Sequence, residues 1–125
     1  TFAVVISGQA LAHIEFFWLA MLEIHRILKP GGTCCLIAPS RGPEHRYPVD
    51  CWRFYPDGFR ALAKYAGLQV LEVYVQWDSE LYPDRDPVWN DCVLIAKKPE
   101  VAPVGLMGSI KRLFRIKDVL NSHHG

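Results

Sequence analysis

The stretch that decides the fold is His25-Arg26-Ile27-Leu28-Lys29-Pro30-Gly31-Gly32-Thr33-Cys34-Cys35-Leu36-Ile37-Ala38. Its left half closes a helical pattern. Ile14, Phe17, Trp18, Met21, Leu22, His25 and Leu28 recur at three- and four-residue steps, which predicts a helix over about 11–28 with one apolar face. Lys29-Pro30-Gly31-Gly32 then reads as the stop, because proline removes a backbone donor and glycine tolerates positive φ. Residues 33–38 form a continuous apolar run, predicted to be a buried strand ended by Pro39. To the left, Phe2-Ala3-Val4-Val5-Ile6 is a similar run, predicted to be a strand buried on both faces. Strand, helix and strand of these lengths make a βαβ unit with parallel strands.

Residues 40–55, Ser-Arg-Gly-Pro-Glu-His-Arg-Tyr-Pro-Val-Asp-Cys-Trp-Arg-Phe-Tyr, show no period. A connection of this length is uncommon unless functional or disordered, and its aromatic content argues against disorder. Pro56 and Asp57 suit the first turn of a second helix, whose buried stripe is Phe59, Leu62, Ala63 and Ala66 and whose end is Gly67. Tyr55 is a poor cap for it. Residues 68–77 read as a strand, 78–90 as a loop, and 91–98 as a last strand antiparallel to the one before it. The remainder, 100–125, reads as a linker and an amphipathic tail helix over 105–120, so the expected organisation is a domain over 1–99 and a tail over 100–125.

Half of the 125 residues are hydrophobic, 22% are charged and the formal net charge is +1, so no basic excess points to nucleic acid. No apolar run reaches the roughly 18 residues of a membrane span, and no signal peptide is visible. Cys34, Cys35, Cys51 and Cys92 form no C-x-x-C pair and read as reduced, mostly buried thiols of a cytoplasmic protein. Neither the cysteines nor the histidines have metal-ligand spacing, and His123-His124 reads as part of a disordered end. A strand that begins at residue 2 reads as belonging to a chain cut from something longer.

A parallel α/β half that finishes in an antiparallel pair resembles the second half of the class I S-adenosylmethionine-dependent methyltransferases, of the small-molecule, type 11 kind. The residues carry this. Val4 to Ile14 is similar to that family's fourth strand and "evleHv" loop, with Leu11, His13 and Ile14 matching and Gln9 and Ala12 in place of two acids. Residues 25–32 are similar to its "RvLkpGG" turn, and 55–59 with 66–68 to its "tpe…l…aGF" segment. The resemblance covers about residues 2–98. It implies the C-terminal half of a Rossmann-like seven-stranded sheet, with strands one to three, the Gly-rich loop and the ribose-binding acid lying before residue 1. It implies S-adenosyl-L-methionine as cofactor, methyl transfer to a small-molecule or saccharide-like acceptor by the parent enzyme, and an inactive fragment. A non-catalytic α/β binding or assembly module is the alternative.

By the same resemblance Ser7, Gly8 and Gln9 border the cofactor's methionine end, as ligands in open α/β sheets bind outside the carboxyl ends of strands. Against this, Ser7-Gly8 reads equally as a strand-to-helix turn. His13 joins the cofactor set or orients its loop through a backbone bond, and His25, inside the apolar face, reads as structural. In the long connection, His45 or Asp50 would deprotonate an acceptor. Arg46 or Arg53 would hold an anionic group, and Tyr47 and Trp52 would stack on a sugar or ring. Alternatively the loop is pinned by aromatic packing and an Arg–Asp pair. The basic and apolar residues of the tail also fit a membrane surface, though packing on the domain or on a partner is favoured.

Overall fold

The computed structural model describes residues 1–75 and 88–100. In chain order they form β1 (Phe2–Gly8), a 3-10 turn (Leu11–His13), α1 (Phe17–Ile27), β2 (Leu28–Arg41), α2 (Pro56–Ala66), β3 (Gln69–Val75) and β4 (Asn90–Lys97). The sheet order is β1-β2-β4-β3. β1 and β2 are parallel, and β4 is antiparallel to both β2 and β3. The expected parallel and antiparallel pairs are therefore both present in a mixed α/β sheet. The periodicity gave no hint that β4 would insert between β2 and β3.

The two helices supply the core of one sheet face. Cys34, Leu36 and Ala38 of β2 sit opposite Ala96, Leu94 and Cys92 of β4. All six are fully buried together with Met21 of α1 and Phe59, Ala63 and Ala66 of α2. Burying a leucine- or phenylalanine-sized side chain contributes about 1.5–3 kcal/mol, so this layer is the main stabilising element. His25 is buried among these residues, as its place on the apolar face predicts. Burial pushes the Cys34 and Cys92 thiols up to about 11. Cys35 is half-buried on the opposite face, and Cys51, against expectation, is exposed.

Four sequence expectations need correcting. First, β1 is not buried on both faces: Phe2, Val4 and Ile6 are 57%, 58% and 72% exposed. Among the described residues the strand is at a sheet edge, and of its apolar side chains only Val5 packs on the helix-side core. Second, α1 begins at Phe17 rather than near 11, because Ile14 is extended (φ −99°, ψ 116°) after the 3-10 turn. No side chain caps either start.

Third, Pro30-Gly31-Gly32 does not stop the helix. α1 ends at Ile27 and β2 starts at once, and the three residues form a bulge between the pairs Phe2↔Leu28 and Val4↔Thr33. Gly31 has φ +77°, and a Cβ on Gly32 would lie 2.8 Å from the Lys29 carbonyl oxygen, so each glycine has a backbone reason. The end of the helix is capped from far along the chain: Lys98 Nζ donates to the His25 and Leu28 carbonyl oxygens at 2.9 and 2.8 Å. Fourth, β2 continues past Pro39 to Arg41.

α2 matches its prediction. Pro56 starts it, Tyr55 gives no side-chain cap, and Gly67 ends it in the left-handed region at φ 76°. Residues 76–77 of the expected third strand, 78–87 of the loop expected over 78–90, and the tail from 101 on, with the amphipathic helix expected over 105–120, lie outside the described residues.

Candidate functional site

The carboxyl ends of β1 and β2 and the amino end of the reversed β4 meet at one edge of the sheet. Gln9, at φ 58°, turns the chain out of β1. Its backbone N–H donates to the Ile37 carbonyl oxygen at 2.8 Å, and its side-chain amide donates to Asp91 Oδ1 at 2.8 Å. A non-glycine residue in the left-handed region costs free energy that the surrounding bonds must offset. Four residues on, His13 hydrogen-bonds through Nδ1 to the Val49 carbonyl oxygen at 2.6 Å.

The long loop after β2 folds back over this turn. The backbone N–H groups of Cys51 and Trp52 donate to the Ala12 carbonyl oxygen at 2.8 and 3.3 Å. Trp52 Nε1 reaches the Ile14 and Glu15 carbonyl oxygens at 3.1 and 3.2 Å. Arg53 binds Asp50 through two parallel bonds, Nη1 to Oδ1 at 2.7 Å and Nη2 to Oδ2 at 2.8 Å, and also donates to the Pro43 and Trp52 carbonyl oxygens. The His45 backbone N–H adds a third bond to the Asp50 carboxylate at 2.7 Å. The Asp50 side chain is 2% exposed. The Arg53 guanidinium holds this carboxyl well below the usual carboxylate range, against a burial effect that raises it, and His45 N–H adds to the lowering.

These residues enclose a cavity of about 280 Å³ lined by Gln9, His13, Pro39, His45, Asp50, Arg53, Trp89 and Asp91. The His45 ring is the hub of its mouth, 5.2 Å from His13, 4.7 Å from Tyr47 and 5.9 Å from Trp89, and the Arg53 guanidinium lies 5.8 Å over Trp89. Five of the residues singled out in the sequence thus converge: Gln9, His13, His45, Asp50 and Arg53. Five do not line the cavity. Ser7 is half-buried within β1, and Gly8 ends that strand with open space beyond its Cα. Arg46 is exposed beside Glu44 at 3.5 Å. Tyr47 is 74% exposed, with its ring on His45.

Trp52 lies on the other side of the loop, 5.0 Å from Phe17. There it lines an open aromatic groove of about 690 Å³ with Trp18, Phe54, Tyr55, Leu62 and Tyr65. Arg53 borders both spaces.

Trp89 and Asp91 are missed by the sequence reading. The available signal is the antiparallel sense of the last strand, which brings its first residues, rather than its last, to this edge. Asp50 is corrected: a carboxylate held ionised and bonded by both Arg53 and the loop backbone is an anchor with little basicity to offer. Among the described residues, no group of three or more His, Cys, Asp or Glu is placed to hold a metal ion. No described helix is long and apolar enough to cross a membrane.

One family model, described as a methyltransferase domain, matches residues 1–36. No curated protein matches the chain in sequence. Solved structures share its fold. The [4+2]-cyclase SpnF matches with 16% identity and a TM-score of 0.59, over 79% of this chain and 51% of its own. A candidate methyltransferase of Bacillus halodurans matches with 16% identity and a TM-score of 0.58, over 78% of this chain and 64% of its own. Phosphoethanolamine N-methyltransferase 2 of Haemonchus contortus, solved with S-adenosyl-L-methionine, matches with 16% identity and a TM-score of 0.54, over 78% and 33%. The chain therefore spans about half to two thirds of the length of the first two. The described residues share the mixed α/β, partly Rossmann-like fold of these structures, and residues 1–36 carry the sequence pattern of a methyltransferase domain.

Proposed function

We propose that this chain forms the acceptor half of an S-adenosyl-L-methionine-dependent methyltransferase that methylates a small-molecule or saccharide-like acceptor. The observation that carries the reading is the convergence of the β1 turn (Gln9, His13) and the β2 loop (His45, Arg53) on one cavity. That cavity lies at the sheet edge where open α/β folds bind their ligands, and it is built partly from residues inside the methyltransferase-domain match. Fold alone would not suffice, since a cyclase shares it.

At about 280 Å³ the cavity falls just below the range of a complete small-molecule site, so it fits one end of the cofactor or the acceptor, with the remaining contacts made by other residues. The Ser7-Gly8-Gln9 turn would border the methionine end, where the open space over Gly8 admits close approach. When bound, the cofactor supplies an electrophilic methyl group. The residues of this chain would position the acceptor against it, which is the larger part of such catalysis. His45 lies at the cavity mouth, where it can contact an acceptor. The Asp50–Arg53 pair fixes the loop that presents His45, and Trp89 offers a flat wall. Arg46 and Tyr47, both exposed, would meet the outer part of the acceptor. The whole domain would be needed for turnover, and the chain alone would be inactive.

Titration of the 125-residue chain with S-adenosylhomocysteine, followed by backbone NMR, tests this. Weak, millimolar binding with shifts confined to Gly8, Gln9 and His13 is expected. Shifts absent from that turn would overturn the cofactor assignment, and submicromolar binding would overturn the claim that most cofactor contacts lie elsewhere.

A further inference from the structure

We infer that the open aromatic groove between α1 and α2 is a second binding site, and that its ligand is a small, neutral, flat ring compound carrying a hydrogen-bond acceptor such as a ketone or ether oxygen. This site is independent of the methyltransferase reading.

The groove has the size of a complete small-molecule site. At about 690 Å³ it lies within the range of roughly 300–1,000 Å³ that such sites occupy, where the polar cavity does not. Its walls are rings. Phe17, Trp18, Trp52 and Phe54 meet one another edge-on at 5.0–6.3 Å, and Trp52 and Tyr55 are 38% and 58% exposed. A flat ring can join such a cluster by stacking or edge-on, which an aliphatic chain cannot.

Two features point to an occupant. The first is Gly58, in the first turn of α2, where glycine is a poor helix former and its φ is not positive. No atom lies within 4 Å of the place its Cβ would take. The described residues make no use of the missing side chain, and the opening borders the groove.

The second is a pair of buried donors. Trp18 Nε1 and Arg53 Nε are shut off from solvent without a hydrogen-bond partner among the described residues, and both side chains line the groove. Buried polar groups are almost always bonded, so two orphans at one groove mark contacts left for another molecule. Both groups only donate, so the ligand brings an acceptor rather than an ammonium. The Arg53 charge is already met by Asp50 through Nη1 and Nη2, so a neutral oxygen suffices. Trp52, exposed and in edge contact with Trp18, is the ring that yields to admit that oxygen.

A protein partner is the poorer fit. A specific interface buries about 800 Å² on each side. Here the exposed Asp57–Arg60 pair interrupts the apolar surface at the border of the groove.

Proton–nitrogen NMR of the 125-residue chain reads the site directly, because the Trp18 indole N–H is one of the two orphan donors. The probes are 9-fluorenone and fluorene, the same flat skeleton with and without a carbonyl oxygen. Fluorenone is expected to move the Trp18 indole signal, assigned with Trp18→Phe, downfield and saturably. It should bind about tenfold more tightly than fluorene, the gain of one hydrogen bond. Gly58→Leu fills the open space; leucine is the better helix former, so the chain should stay folded while fluorenone binding weakens by that factor or more. Ile6→Ser, on the exposed β1, should change nothing. Equal affinity for the two probes would overturn the acceptor assignment. A fluorenone effect that survives Gly58→Leu, is lost in Ile6→Ser, or never saturates would overturn the site. Movement of the Trp18 indole signal on simple dilution of the chain would assign the groove to a second copy, and equally overturn it.

Discussion

The two sides of the loop at residues 42–55 are built on opposite logic. On one side it closes a polar cavity with His13, His45 and Asp91; on the other it floors an aromatic groove with Phe17, Trp18 and Phe54. The groove side is packed. Phe54 stacks on Phe59 at 5.1 Å with 13° between the planes, and Phe17 meets Trp18, Trp52 and Phe54 edge-on at 5.0–5.1 Å. The cavity side is held by directed bonds, and its His45 remains exposed. The aromatic side thus holds the loop by packing and the polar side by the Asp50–Arg53 clasp, while the exposed His45 ring is a group whose removal the fold tolerates. A single sequence stretch thus lines both spaces, with His45 and Asp50 on the cavity, Trp52 and Phe54 on the groove and Arg53 on both.

The largest effect is expected at Phe59. Phe59→Ala removes a fully buried ring beneath the groove and is expected to cost about 3–5 kcal/mol in chemical denaturation. A loss below about 1 kcal/mol would mean that the aromatic side does not hold the loop. Next comes the shared wall. Arg53→Ala leaves the Asp50 carboxylate enclosed without its partner. Discounted for the 22% exposure of Arg53, the expected loss is about 2–3 kcal/mol, with the loop resonances at 45–53 broadened.

The same clasp sets a pH dependence. Asp50 is held below its unfolded value of about 4, so its contribution is full above that pH and is lost as pH falls through the folded value. Melting temperature measured from pH 6 down to about 2.5 should therefore fall more steeply for the natural chain than for Asp50→Asn; parallel curves would show that the clasp contributes nothing. The smallest effect is expected on the cavity side. His45→Ala should change stability by no more than about 0.5 kcal/mol, because the His45 bond to Asp50 is made by backbone rather than by the ring. A larger loss would make His45 a structural residue and remove it from the proposed acceptor site.

What was legible in the sequence follows from local physics. Pro56 and Gly67 bracket α2 through φ preferences that act within one turn, and the apolar runs of β1 and β2 announce strands because buried parallel strands need them. The helix periodicity over 11–28 misplaces the start of α1, because the extension at Ile14 is imposed by the loop that crosses it from 36 or more residues away. β1 reads as buried because its residues are apolar, but burial depends on what packs against a strand, and here it lies at an edge. The loop at 40–55 is recognisable as a candidate site from its composition, and the Arg–Asp pair that pins it is present in its residues. Which residues share the cavity is not recognisable, because Trp89 and Asp91 arrive through the insertion of β4, a long-range event that leaves no local mark.

That insertion also sets the order in which the molecule can assemble. Among the described residues β3 has one neighbour in the sheet, β4, and the end of α1 is capped by Lys98 just beyond β4. On a ribosome, β3 is therefore made before the strand it pairs with exists, and the sheet is zipped shut only when the last described residues emerge. Contacts this far apart in sequence close late and slowly, and the apolar strands wait exposed in the meantime. A chain interrupted before residue 90 would lose far more than one strand, because that strand is the seam joining the rest.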